Sequence, residues 1–157
     1  MNQLDSFEIN FGISLRISNF MLYLPFMVCL QDVNQDRIIK NKLSTAQLIA
    51  SDVVYIFYHE NAKIEAEDFD EALAAYNELS DDRPMKIVAE FGKFAVVTAE
   101  ARAYAEGVKF TCIAQATVYH GLAQRLLLKF YFMFRKQEHP FKVFESKESA
   151  IKWLKKF

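Results

Sequence analysis

The chain has 157 residues, enough for one ordinary domain and too few for two. Hydrophobic residues make up 52% and charged residues 25%, which fits a core-forming globular chain and excludes a disordered one. A net charge of −1 gives no global electrostatic basis for binding nucleic acid, and only 4 glycines and 3 prolines argue against a many-turned β-sandwich.

In chain order, residues 7–17 alternate strictly, Phe7, Ile9, Phe11, Ile13, Leu15 and Ile17 against polar or small neighbours, which is the period of a half-buried strand. The apolar run Phe20–Leu30 follows, then a polar stretch, Gln31–Lys42. The apolar run is interrupted by Pro25 and falls well short of the roughly 20 residues a membrane-spanning helix needs. Residues 1–15 carry Asp5 and Glu8 but no Lys or Arg, unlike the basic start of a signal peptide, so a cytoplasmic location is expected. Residues 1–42 thus read as a β-prone extension, either a strand pair added to the domain or an upstream segment outside it.

From residue 43 the pattern changes. Leu43–Ala50 and Val53–Tyr58 are β-prone runs joined by Ser51-Asp52, a hairpin signature. Glu65–Leu79 predicts a helix: acids crowd its first turns, where the helix dipole favours them, and Phe69, Ala72, Leu73, Tyr76 and Leu79 form one apolar stripe. Met85–Phe91 predicts a buried strand. Thr98–Gly107 predicts a short helix with Thr98 as N-cap and Gly107 as the residue just past its end. Val108–Tyr119 predicts the longest strand, with Phe110, Cys112, Ala114, Ala116 and Val118 on one face. Leu122–Lys136 predicts a helix, Phe141–Phe144 a short strand, and Ser146–Phe157 a closing helix capped by Ser146. Strands alternating with helices imply an α/β fold with a largely parallel sheet.

Most catalytic signatures are missing from the sequence. Gly12, Gly92, Gly107 and Gly121 cannot build a phosphate-cradling glycine loop, and no nucleophile elbow is present. Cys29 and Cys112 are too far apart in sequence for a metal knuckle or a disulfide framework and read as buried thiols. His59, His120 and His139 each lack a second ligand at metal spacing, so no metal and no cofactor are expected, and each reads as a solvated or singly hydrogen-bonded side chain. Glu90 stands out as a carboxylate inside an apolar run near the C-terminal end of a parallel strand, the edge at which open α/β sheets bind ligands. Its plainer role is pairing with Lys93 or capping a loop. An enzyme built on Glu90 would need a histidine within hydrogen-bond reach of it in a pocket.

Charge is polarised along the chain. Residues 60–82 hold nine acids against Lys63, and residues 125–157 hold nine bases against three acids. The basic quarter could meet anionic lipid, an acidic protein or simply solvent. The helix Leu122–Lys136 is apolar around nearly its whole circumference, so beyond the face that covers the sheet it offers a candidate interaction face, Leu127, Phe130, Tyr131 and Phe134.

Residues 43–157 resemble a family of uncharacterised bacterial proteins with a STAS-like (SpoIIAA-like) fold. The resemblance is carried by the hairpin before Glu65–Phe69, the run Thr98–Tyr104, the small-residue strand Ile113–Val118, the following Phe-rich helix and the ending Lys142–Phe144 with Ala150–Leu154. It implies a mixed, largely parallel sheet with an N-terminal hairpin and four helices. STAS domains resemble anti-sigma-factor antagonists, phosphorylated on a Ser or Thr where a loop enters a helix, and Thr98 falls at about that place. The loop departs from that pattern: Val96-Val-Thr-Ala-Glu100 lacks the preceding Asp and the Gly, which favours plain helix capping.

The function expected from sequence is therefore a non-catalytic regulatory or protein-interaction module, with a second copy of the chain (a homodimer) or another protein as partner and no nucleic acid. The alternative is a protein that binds a small apolar ligand or lipid under the 122–136 helix, with peripheral membrane contact.

Overall fold

The computed structural model describes residues 37–108, 110–133 and 138–157, and only the backbone of residues 127 and 129–133. The alternating run 7–17, the apolar run 20–30, Cys29 and Phe134 lie outside the described residues, as do the side chains of Leu127, Phe130 and Tyr131.

The elements in order are β1 (Ile38–Lys40), β2 (Ser44–Ala50), β3 (Val53–Tyr58), β4 (Lys63–Ile64), α1 (Ala66–Ser80), β5 (Lys86–Phe91), β6 (Val96–Val97), α2 (Ala99–Gly107), β7 (Gln115–Val118), α3 (Leu122–Met133), β8 (Phe141–Phe144) and α4 (Lys147–Leu154). Six strands form one sheet in the order β1-β2-β3-β5-β7-β8. β1, β2 and β3 are antiparallel neighbours; β3, β5, β7 and β8 pair in parallel, so β2 alone runs against the rest. The fold is mixed α/β with a mostly parallel sheet, an N-terminal hairpin and four helices among the described residues.

Local chemistry sets the element ends. The β2–β3 turn at Ser51-Asp52 is tied to the start of β5 by Asp52, whose carboxylate takes the buried Lys86 ammonium at 2.7 Å. At the start of α1 the Asp68 carboxylate reaches back to the Glu65 backbone N–H at 2.7 Å, satisfying a donor the helix cannot. Its C-terminal end turns at Asp81 in the left-handed region. Gly92 lies against β3: a Cβ there would meet the Glu60 backbone nitrogen at 2.7 Å, so no other residue fits without movement.

The sheet buries both faces. Val54, Ile56, Tyr58, Ile87 and Ala89 pack toward α1, where Ala72, Ala75, Tyr76 and Leu79 meet them. The alternate residues Val53 and Val88, with Ala114, Ala116 and Val118, pack toward α4, whose Ala150 and Leu154 are fully buried. The small side chains of β7 let that helix sit close.

Three sequence expectations are corrected. The strand expected over Val108–Tyr119 contracts to Gln115–Val118. A bend at Ile113 divides it, and the Thr111 carbonyl accepts from the Tyr76 hydroxyl at 3.0 Å. Cys112 accordingly joins the α1 cluster while Ala114 joins the α4 cluster, so the two do not share a face. Gly107 is the last residue of α2 rather than the residue beyond it, with Val108 as the cap. The polar stretch before residue 43, within the extension read as β-prone, contains β1, held by a β1–β2 turn and by Arg37, which donates to the Glu78 carbonyl of α1 at 2.7 Å. The short parallel pair β4–β6 was not expected.

Candidate functional site

Two places carry functional geometry, one on each face of the sheet. The first lies at the C-terminal ends of the parallel strands. Alternation along β3 and β5 puts Tyr55 and Glu90 on the α4 face, and the segment leaving β7 brings up His120. The Glu90 carboxylate accepts the Tyr55 hydroxyl at 2.9 Å on one oxygen and meets the His120 Nε2 at 2.7 Å on the other. Its side chain is 12% exposed against 33% for His120, so the imidazole is the member that reaches solvent.

An ionised carboxylate only accepts hydrogen bonds, so the proton between the pair sits on Nε2. Nδ1 is then the atom left to act: an acceptor on the neutral ring, a donor on the charged one. Burial, followed by the bond to Glu90 and its charge, pushes the Tyr55 phenol well above its ordinary range and keeps it a donor. Lys147 of α4 lies over the Tyr55 ring at 3.5 Å from its centre, closing the cluster from behind.

Gln124, in the first turn of α3, holds the loops together. Its carbonyl oxygen accepts the His120 backbone N–H at 2.8 Å, and its amide nitrogen donates to the carbonyls of Gly92 at 3.0 Å and Ala95 at 3.2 Å. A cavity of about 600 Å³ opens beside it, lined by Lys93, Phe94, Tyr119, His120, Leu122 and Arg125. Glu145 at its rim accepts from the Tyr119 hydroxyl at 2.8 Å and from Arg125 at 3.2 Å.

The second place is an apolar cavity of about 190 Å³ on the opposite face of the sheet. Its floor is Ile56, Tyr58, Ile87, Ala89 and Phe91, with Gln115 and Thr117 as polar points. α1 contributes Phe69, Leu73 and Tyr76, α2 contributes Arg102 and Ala105, and Leu128 comes from α3.

The residues singled out from sequence fall as follows. Glu90 pairs with Tyr55 and His120, not with Lys93 and not as a loop cap. Of the spatial condition for an acid–base role, a histidine within reach of Glu90 in a pocket, one part is met: His120 reaches Glu90 and lines the cavity, whereas Glu90 itself is not among the residues that line it. Thr98 lines neither cavity; its hydroxyl oxygen accepts the Ala101 backbone N–H at 3.1 Å at the start of α2. His59 bonds the Thr45 hydroxyl at 3.1 Å and His139 the Gln115 amide oxygen at 3.3 Å. Among the described residues no group of three or more His, Cys, Asp or Glu is placed to hold a metal ion, and no helix is long and apolar enough to cross a membrane. Tyr55 and Gln124 were not foreseen: Tyr55 reaches Glu90 across 35 positions through strand register, and Gln124 reaches Gly92 and Ala95 across 32 and 29 through loop contact.

The chain is similar to a solved structure of an uncharacterised protein of the DUF3478 family from Shewanella loihica PV-4, described as having a SpoIIAA-like fold. The two share 17% identity over 75% of this chain and 90% of that one, with a TM-score of 0.44. No curated protein matches. With residues 47–157 matched by its model, the chain belongs to the family described as a domain of unknown function, DUF7793.

Proposed function

We propose that the domain is a non-catalytic regulatory module that takes a small apolar ligand between its sheet and its helices. The observation that carries this reading is the cavity of about 190 Å³ under α1, α2 and α3. Protein interiors pack as densely as organic crystals and hold few voids larger than a water molecule. An apolar cavity of about 150 Å³ is enough to stay dry and bind benzene. The size therefore suits a single ring or a short aliphatic chain. Gln115 and the fully buried Thr117 on the floor, with Asp70, Arg102 and His139 around it, supply the polar points that orient a ligand in such a site.

The test is an amide-resolved NMR titration with toluene. Saturable shifts at Ile87, Ala89 and Thr117 are expected. No shifts, or shifts confined to the outer surface, would overturn the reading.

Contact with a second copy or a protein partner is favoured by a different observation. Leu122 and Leu126 stand one turn apart on α3 and are 68% and 58% exposed. Sedimentation of the full chain at high micromolar concentration tests it: a dimer that Leu126→Lys dissolves supports contact between copies, and a monomer throughout rejects it.

A further inference from the structure

We propose that the cavity at the strand ends is a second ligand site, built for a small organic carboxylate with an apolar body, and that His120 is the group that holds the carboxylate. It is independent of the apolar cavity, since Tyr55 and Glu90 face α4 while that cavity opens toward α1.

Orientation comes first. Glu90 uses one oxygen for Tyr55 and the other for His120, so the ring is fixed by a carboxylate that is itself fixed. Nδ1 of His120 has no hydrogen-bond partner among the described residues, and the ring lines the cavity. A carboxylate arriving there accepts from Nδ1–H of the doubly protonated ring, whose second proton comes from solvent, and Glu90 balances the charge of that imidazolium from behind.

The charges around the cavity favour the same ligand. Lys93 and Arg125 both line it, and the one carboxylate at its rim among the described residues, Glu145, is already engaged by Arg125 and the Tyr119 hydroxyl. The groups that face His120 are thus Glu90 from β5 with Tyr55 behind it on β3, Lys93 from the loop after β5, Tyr119, Arg125 from α3, and Glu145 after β8.

An apolar wall completes the site. Phe94 is 77% exposed, and its φ of 60° lies in the left-handed region, which bulky residues rarely adopt. A ring held over a cavity in a strained backbone conformation is the kind of outlier that marks a functional contact. Leu122 extends the same wall. A carboxylate alone leaves this wall unused, whereas an aromatic or branched aliphatic acid covers it.

The experiment is an NMR titration of the full chain with benzoate, with benzamide and inorganic phosphate as controls, followed at the His120 ring and the Phe94 amide. Benzoate is expected to bind saturably and at least tenfold more tightly than either control. His120→Gln and Phe94→Gly should each weaken benzoate at least fivefold while leaving the toluene shifts at Ile87, Ala89 and Thr117 as they were. Phe94→Gly suits the backbone and keeps the test alive should His120→Gln fail to fold. Equal binding of benzoate and benzamide would remove the carboxylate assignment, and phosphate as tight as benzoate would remove the apolar body. Benzoate shifts centred on Ile87 and Thr117, or unchanged affinity in both variants, would overturn the site itself.

Discussion

Filling the apolar cavity from its floor should stabilise the protein and abolish toluene binding at once. Ala89 sits mid-strand on β5, opposite Ile56 of β3 and Thr117 of β7, with its methyl toward the cavity. Ala89→Ile adds three carbons, and a β-branched residue suits a strand. At about 0.8 kcal/mol per buried carbon, the ceiling on the gain is about 2.4 kcal/mol. Side-chain entropy and imperfect fit reduce that to about 1–2 kcal/mol. A position already packed to native density would respond with the opposite sign, losing about 1–3 kcal/mol to overpacking. Urea unfolding reads the difference: the midpoint should rise with the slope unchanged. The melting temperature should rise by about 4 °C for each kcal/mol gained. A fall in the midpoint, or toluene still binding the variant, would show that no usable space lies over Ala89.

Three further outcomes follow from local geometry. Thr98→Ala removes the acceptor for the Ala101 N–H and should cost about 1 kcal/mol in urea unfolding, and an unchanged midpoint would remove the capping role. Gly92→Ala drives a Cβ to within 2.7 Å of the Glu60 backbone nitrogen, so the loop after β5 must shift. A loss of about 2–3 kcal/mol is expected from the same measurement, and a neutral effect would show the approach to be loose. Burial pushes the Cys112 thiol up to about 12, so iodoacetamide at pH 8 should label it far more slowly in the native Cys29→Ser protein than in urea. The unfolded thiol ionises near 8.5, so this contribution to stability is whole below that pH and is lost as pH rises toward 12.

The elements that were legible in the sequence are those whose signals are local. The β2–β3 hairpin has two β-prone runs and a turn pair, α1 has acids at its start and an apolar stripe, and α4 has a serine cap that accepts the Ser149 N–H at 3.3 Å. The segment 108–119 misled because its apolar residues serve different layers on either side of the Ile113 bend, and a run that is apolar throughout does not disclose where it turns over. β4 and β6, two residues each, are too short to show any period. The site was half legible. Glu90 announced itself as a charge in an apolar run, but Tyr55 is 35 positions before it and His120 30 after. What joins them is the parallel register of β3, β5 and β7, set by whole-sheet packing rather than by any neighbouring residue.

The two faces of the sheet differ in how residue sizes are matched, and that difference produces the cavity. Toward α4, the sheet offers Val88, Ala114, Ala116 and Val118, all fully buried, and α4 answers with Ala150. Small against small lets helix and sheet approach closely. Toward α1 the floor is again small at Ala89 and Thr117, but aromatic rings stand around it. Tyr58 stacks on Phe91 with ring centres 5.0 Å apart and meets the edge of Phe69 at 5.9 Å, while Tyr76 is anchored through its hydroxyl to the Met85 N–H at 2.9 Å. Rings cannot collapse over a methyl group as a flexible chain would, so they hold the helices off the sheet and keep the volume open. Shortening one of these supports, rather than a residue of the floor, should therefore let the layers approach, and the cavity would be lost by collapse instead of by filling.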